Sequence, residues 1–211
     1  MEHRIHAPAQ IVKKPKKLSF SLGQHQVLFG LTFCLLAGVL AGALYYKYHA
    51  ASGFYTQAFT QYRQSVSGGF FTVLLDSVLK ILPYAAGVFL SGTCMAGMLL
   101  APVITAVCGY NFGVLSGYLY AAYKLNGIMF HLLLVCPWAT VLSIGLLLSA
   151  REAVGFSVSI ARLAFPGRHT AMLDRDFKLY CTRQLFVLLY FSAAALLRTV
   201  LSCCFGSFFS F

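Results

Sequence analysis

Side chains able to do acid–base, nucleophilic or metal chemistry are scarce in this sequence. Its five carboxylates, Glu2, Asp76, Glu152, Asp174 and Asp176, leave little material for carboxylate catalysis or for a hard-metal site, which takes about six to eight oxygen ligands. Seven cysteines could signal disulfides or zinc. Cys34, Cys94, Cys108 and Cys136 instead stand singly inside apolar runs without ligand spacing, the pattern of small core hydrophobes. The vicinal Cys203 and Cys204 are open to oxidation if that end of the chain faces outward. His131 has no second histidine, cysteine or carboxylate at ligand spacing and reads as an interfacial or hydrogen-bonded histidine. Glycine-rich phosphate loops, HExxH patterns and serine nucleophile elbows do not occur. The expectation is a chain with no catalytic residue, no metal and no cofactor.

The solvent these residues meet follows from composition. A chain of 211 residues that is 59% hydrophobic and 10% charged cannot cover a water-facing surface, so the bilayer must be its main solvent. The net charge of +11 would suit nucleic acid if it were spread over a soluble face. It is confined to segments that flank apolar runs, which points to membrane lipids as partners and excludes nucleic acid.

Those runs set the architecture. Residues 1–26 form a basic tail with Arg4, Lys13, Lys14, Lys16 and Lys17, followed by an apolar run from about Val27 to Tyr46, long enough to cross and too long for a cleaved signal peptide. The stretch 47–77 is rich in aromatic residues, and Phe54, Ala58, Tyr62 and Val66 within it recur at one helical turn. It reads either as a surface helix or as a connecting loop. From Val78 to Tyr123 the apolar run fits two spans, Leu79–Leu99 and Val103–Tyr123, with Pro102 as the natural break. Lys124 to Gly127 form a polar turn, and a fourth span runs from Ile128 to Ala150 with Pro137 inside it as a kink. Residues 151–183 carry six Lys or Arg, with a turn at Pro166, Gly167, Arg168 and His169. A fifth span covers Gln184–Phe205. The two basic regions should share the cytoplasm, which requires an even number of spans between them. The expected fold is an all-α, polytopic membrane helical bundle of about five transmembrane helices. Its membrane domain is 27–211, its N-terminus is cytoplasmic, its external loop is 47–77 and its cytoplasmic loop is 151–183.

Within the spans the clearest pattern is Gly109, Gly113 and Gly117, two overlapping GxxxG steps that place three glycines on one helix face. Gly38 and Gly42 repeat the device in the first span, and Gly87, Gly92 and Gly97 add small residues to the second. Such faces serve packing within the chain or with a partner. Leu115 lies on another face and should tolerate Ala if it meets lipid. Asn111 is costly to bury unpaired and is expected to bond to a neighbouring helix. Arg198 is the one charge deep in a span. It either snorkels outward or pairs with Asp76 or a partner's acid, and Lys80 competes for Asp76 at i+4.

The segments Leu79-Lys80-Ile81-Leu82, Gly109 to Gly117, and Leu134-Val135-Cys136-Pro137-Trp138 resemble stage II sporulation protein M, as do the overall length, basic N-terminus and external loop. The family pattern has Pro-Gln where this chain has Pro137-Trp138. The resemblance implies a non-enzymatic scaffold of the septal or engulfing cell membrane in endospore-forming bacteria. It also implies partners, stage II sporulation proteins P and D, which degrade peptidoglycan during forespore engulfment. The competing expectation is a small-molecule transporter or permease-like subunit, resting on Asn111, Arg198 and the Pro137 kink.

Overall fold

The computed structural model describes residues 18–49, 69–163 and 171–205. The expected surface helix or loop around Phe54–Val66, the turn at 166–169 and the basic cluster before Leu18 lie outside these residues. Every element among the described residues is helical: α1 (Leu18–His49), α2 (Phe70–Thr93), α3 (Gly97–Phe130), a π-helical turn (His131–Val135), α4 (Cys136–Leu163) and α5 (Ala171–Phe205). Four stretches are long and apolar enough to cross a membrane: His25–Tyr48, Phe70–Thr93, Gly97–Ala161 and Arg175–Phe205.

The third of these stretches folds back on itself. Ser116 and His131 would lie about 22 Å apart along a straight helix, yet Ser116 Oγ is 2.8 Å from His131 Nε2. The reversal is at Lys124, which takes φ 48° and ψ −122°, values that suit glycine. Gly127 completes it, because a Cβ there would strike the Leu119 carbonyl oxygen. The polar turn expected at 124–127 is therefore reduced to little more than one non-helical residue.

Residue pairings give the helix directions. Gly109 and Gly113 of α3 abut Leu35 and Val39 of α1, so these two helices run parallel. Asp76 meets Arg198 and Phe89 meets Tyr180, which makes α2 and α5 antiparallel. Ser149 with Gln184 and Trp138 with Arg198 set α4 antiparallel to α5. The chain thus alternates direction along α1, α2, α3, α4 and α5, with α1 packed mainly along α3 and the other helices packed together.

Burial follows one stripe per helix. In α1 the buried residues are Leu31, Leu35, Gly38, Gly42 and Tyr46. In α5, Tyr180, Gln184, Val187, Phe191, Ala194, Arg198 and Ser202 repeat every three or four residues, the spacing of a left-handed seam. Large apolar side chains off the stripes, such as Phe29, Phe33, Leu99 and Leu185, are exposed. That arrangement is unfavourable in water and ordinary in lipid.

Several boundaries differ from the sequence expectation. The α2–α3 turn falls at Cys94–Ala96, and Pro102 sits inside α3. The residue before proline only resists the helical region, and the turn goes where its polar groups find partners. Gly97 lets the chain pass tight against the Ser91 carbonyl oxygen. Ser157 of α4 donates to Cys94 O at 2.9 Å and accepts from Met98 N–H at 3.1 Å. Gly97 therefore opens α3 and does not belong to the second span, and Cys94 is exposed at the turn. Helix α2 also begins at Phe70, so the far end of the expected external loop is helical and Asp76 lies within α2. The 151–183 segment is helical at both ends, through Leu163 and from Ala171.

Candidate functional site

Pro137 lacks the N–H that would bond four residues back, and its ring crowds that carbonyl. The chain relieves this just upstream: Cys136 N–H reaches His131 O, a π-type bond within a five-residue turn. The wider turn aims His131 at α3. Its ring nitrogens lie 2.8 Å from Ser116 Oγ and 3.0 Å from Tyr120 Oη. A serine, a histidine and a second hydroxyl in this order satisfy the distances of a nucleophile, a base and an orienting group. The arrangement lacks donors for an oxyanion. Ser116 lies well inside a continuous helix, where neighbouring N–H groups are committed to bonds four residues back. Its hydroxyl also bonds Phe112 O at 2.8 Å. The three side chains clamp the α3–α4 hairpin.

Beside this clamp lies a cluster of three charges, Arg198, Asp76 and Lys80. The Arg198 guanidinium, 3% exposed, bonds Asp76 Oδ2 at 2.9 Å. It also lies 5.4 Å from the Trp138 ring, which packs edge-on against Phe112. Lys80 shares Asp76 Oδ2 at 2.9 Å from one turn away. Arg198 thus pairs with Asp76 and does not snorkel. Next along α2, Tyr84 Oη accepts a bond from Asn111 Nδ2 at 2.5 Å, so Asn111 links α3 to α2. Asp76, Lys80 and Tyr84 make one polar stripe that binds α5 and α3 to α2.

The glycine positions sit where backbones meet. A Cβ on Gly109 or Gly113 would overlap the carbonyl oxygen of Leu35 or Val39, and one on Gly38 or Gly42 would overlap that of Ala106 or Tyr110. Gly117 faces the Tyr46 ring, with a would-be Cβ 3.1 Å from Tyr46 Cβ. All five glycines form one seam between α1 and α3. Leu115 is partly buried and packs against the core. The exposed residues of α3 include Val103 and Val107.

Sequence reasoning missed the opposite end. There Ser157 holds the α2–α3 turn, and Tyr180 Oη donates to Phe89 O at 2.9 Å while stacking on Phe156. The Ser149 hydroxyl donates to Gln184 Oε1 at 2.7 Å, and Gln184 Nε2 donates to Ser149 O at 3.1 Å. Glu152 accepts from Arg151 at 2.7 Å and from Arg183 at 2.6 Å. The signal was present: Ser149, Ser157 and Gln184 occupy positions in the apolar repeat of their helices, where a polar side chain must bond to another helix. Among the described residues no three His, Cys, Asp or Glu converge to hold a metal ion. Compared with known proteins, this chain matches no family model, no curated protein and no solved structure.

Proposed function

We propose that this chain is a five-span, non-enzymatic scaffold of the cell membrane that recruits or holds peptidoglycan-degrading partners during forespore engulfment. The partners are those that the resemblance to stage II sporulation protein M implies, stage II sporulation proteins P and D. One observation carries the scaffold reading. Three polar pairs tie one helix to another, Arg198 with Asp76, Asn111 with Tyr84 and Gln184 with Ser149. These include the two polar residues on which a transporter reading rests, and both serve rigidity. The alternating helix directions and the reversal at Lys124 support five crossings. Placement of Lys and Arg supports a cytoplasmic N-terminus and an external C-terminus.

The test is affinity recovery of the full-length chain from sporulating cells, paired with solute flux in proteoliposomes. The scaffold reading expects cell-wall hydrolases in the recovered fraction and no flux. Substrate-dependent flux without hydrolases would replace it with a transporter. For orientation, a cysteine introduced near His169 should resist an impermeant thiol reagent in intact cells, and labelling there overturns the topology.

A further inference from the structure

A cleft of about 360 Å³ opens between α4 and α5, lined by Leu148, Arg151, Glu152, Arg183, Phe186 and Tyr190 among others. Its two ends differ in chemistry. Arg151 follows directly on the apolar run that ends at Ala150, and Arg183 directly precedes the run that begins at Gln184. The Ser149–Gln184 bonds hold both arginines at one level of the bundle. From that level Leu148 lies one turn deeper on α4, while Phe186 and Tyr190 step deeper on α5. Phe186 and Tyr190 are 61% and 43% exposed, so the apolar wall is open to the membrane.

Glu152 ties the two guanidinium groups together without neutralising them, and the triad keeps a net positive charge. It engages one nitrogen of each arginine, Nη2 of Arg151 and Nη1 of Arg183. A guanidinium has five N–H donors in a fork that matches a phosphate. The side chains of Arg151 and Arg183 stay 30% and 54% exposed. A fixed cation at the membrane edge, continued inward by an apolar wall, has the shape and charge of one class of ligand.

We propose that this cleft binds an anionic phospholipid, its phosphodiester on Arg151 and Arg183 and an acyl chain along Leu148, Phe186 and Tyr190. Basic pockets between helices at the cytoplasmic face are where such headgroups bind. The proposal rests on α4 and α5 crossing a membrane and is independent of the scaffold role. Failure to recover hydrolases leaves it standing.

The test uses the full chain in detergent micelles, with thermal unfolding followed as lipid is titrated in. Dioleoyl phosphatidylglycerol should raise Tm saturably, while dioleoyl phosphatidylcholine and glycerol phosphate should not. Arg183→Gln should raise the half-saturating concentration at least about five-fold, the factor equivalent to the ~1 kcal/mol that one charge near an anionic surface is worth. Arg175→Gln, an exposed cation of α5 outside the cleft, should leave it unchanged. Equal shifts with phosphatidylcholine, or an equal loss in Arg175→Gln, overturn the proposal. Saturation by glycerol phosphate alone makes the cleft a phosphate site and overturns the lipid assignment.

Discussion

Arg198 and Asp76 are separated by 122 positions in the chain, yet their guanidinium and carboxylate meet at 2.9 Å across α5 and α2. The contact is unequal. Arg198 is almost fully buried, whereas Asp76 is partly exposed and also holds Lys80. Removing one partner of a buried pair leaves an uncompensated charge, at a cost of about 3–5 kcal/mol. Asp76→Leu should therefore destabilise the protein strongly, near the lower end of that range because Asp76 is partly exposed. Arg198→Leu should be milder, because Asp76 keeps Lys80. The double variant should be more stable than Asp76→Leu alone. Thermal unfolding of the three variants in detergent checks the order, and equal losses in both single variants would show that the pair is not coupled in this way.

The glycine seam makes a prediction of shape. A Cβ on Gly113 would stand 2.9 Å from Ala43 N and 2.8 Å from Val39 C, both backbone atoms that no rotamer change can move. Gly113→Ala should therefore cost about 1–3 kcal/mol, the usual range for overpacking, and Gly113→Leu more. Both variants should still insert, since every span keeps its hydrophobicity. Val107→Ala, on the exposed face of α3, should stay within about 0.5 kcal/mol of the parent. Detergent stability that is unchanged in Gly113→Leu would mean that α1 does not lie against α3.

Lys124 carries the only positive φ of a non-glycine residue among those described. A residue held in such a region costs about 1–3 kcal/mol, and glycine there removes the strain while adding flexibility to the unfolded chain. Lys124→Gly should raise stability by about 1 kcal/mol, and Lys124→Val should lower it. The comparison is read from paired melting curves. A stabilising valine would contradict the reversal at this residue.

Ser157 is fully buried and serves the turn from 59 and more positions away, contacting Cys94 O, Met95 O and Met98 N–H. Ser157→Ala removes these bonds from partly exposed groups, and Cys94 O keeps the bond from Gly97 N–H, so the cost should be about 0.5–1.5 kcal/mol, that of an ordinary hydrogen bond. Ser159→Ala, whose hydroxyl bonds only its own helix at Gly155 O, should be near neutral. Hydrogen exchange at the 94–98 amides should rise in the first variant alone. Equal exchange in both would remove Ser157 from the turn.

The sequence by itself determined that the chain is helical, with stretches long and apolar enough to cross a bilayer, because apolar length is a local property and hydrocarbon thickness is fixed. It also marked Gly38, Gly42, Gly109, Gly113 and Gly117 as a close-packing set, since spacing of four residues fixes a helix face without knowledge of the partner. Only the tertiary structure decided that α1 and α3 supply each other's partner face, that Arg198 reaches Asp76, and that His131 turns toward Ser116 and Tyr120. In lipid, side chains facing the membrane and those facing the protein are equally apolar, so hydropathy cannot tell Leu115, packed against the core, from Val107 on the exposed face. The place of the α2–α3 turn had the same origin. Pro102 was the stronger local signal, but Ser157, far along the chain, satisfies the polar groups of Cys94–Met98 and so fixes the turn there.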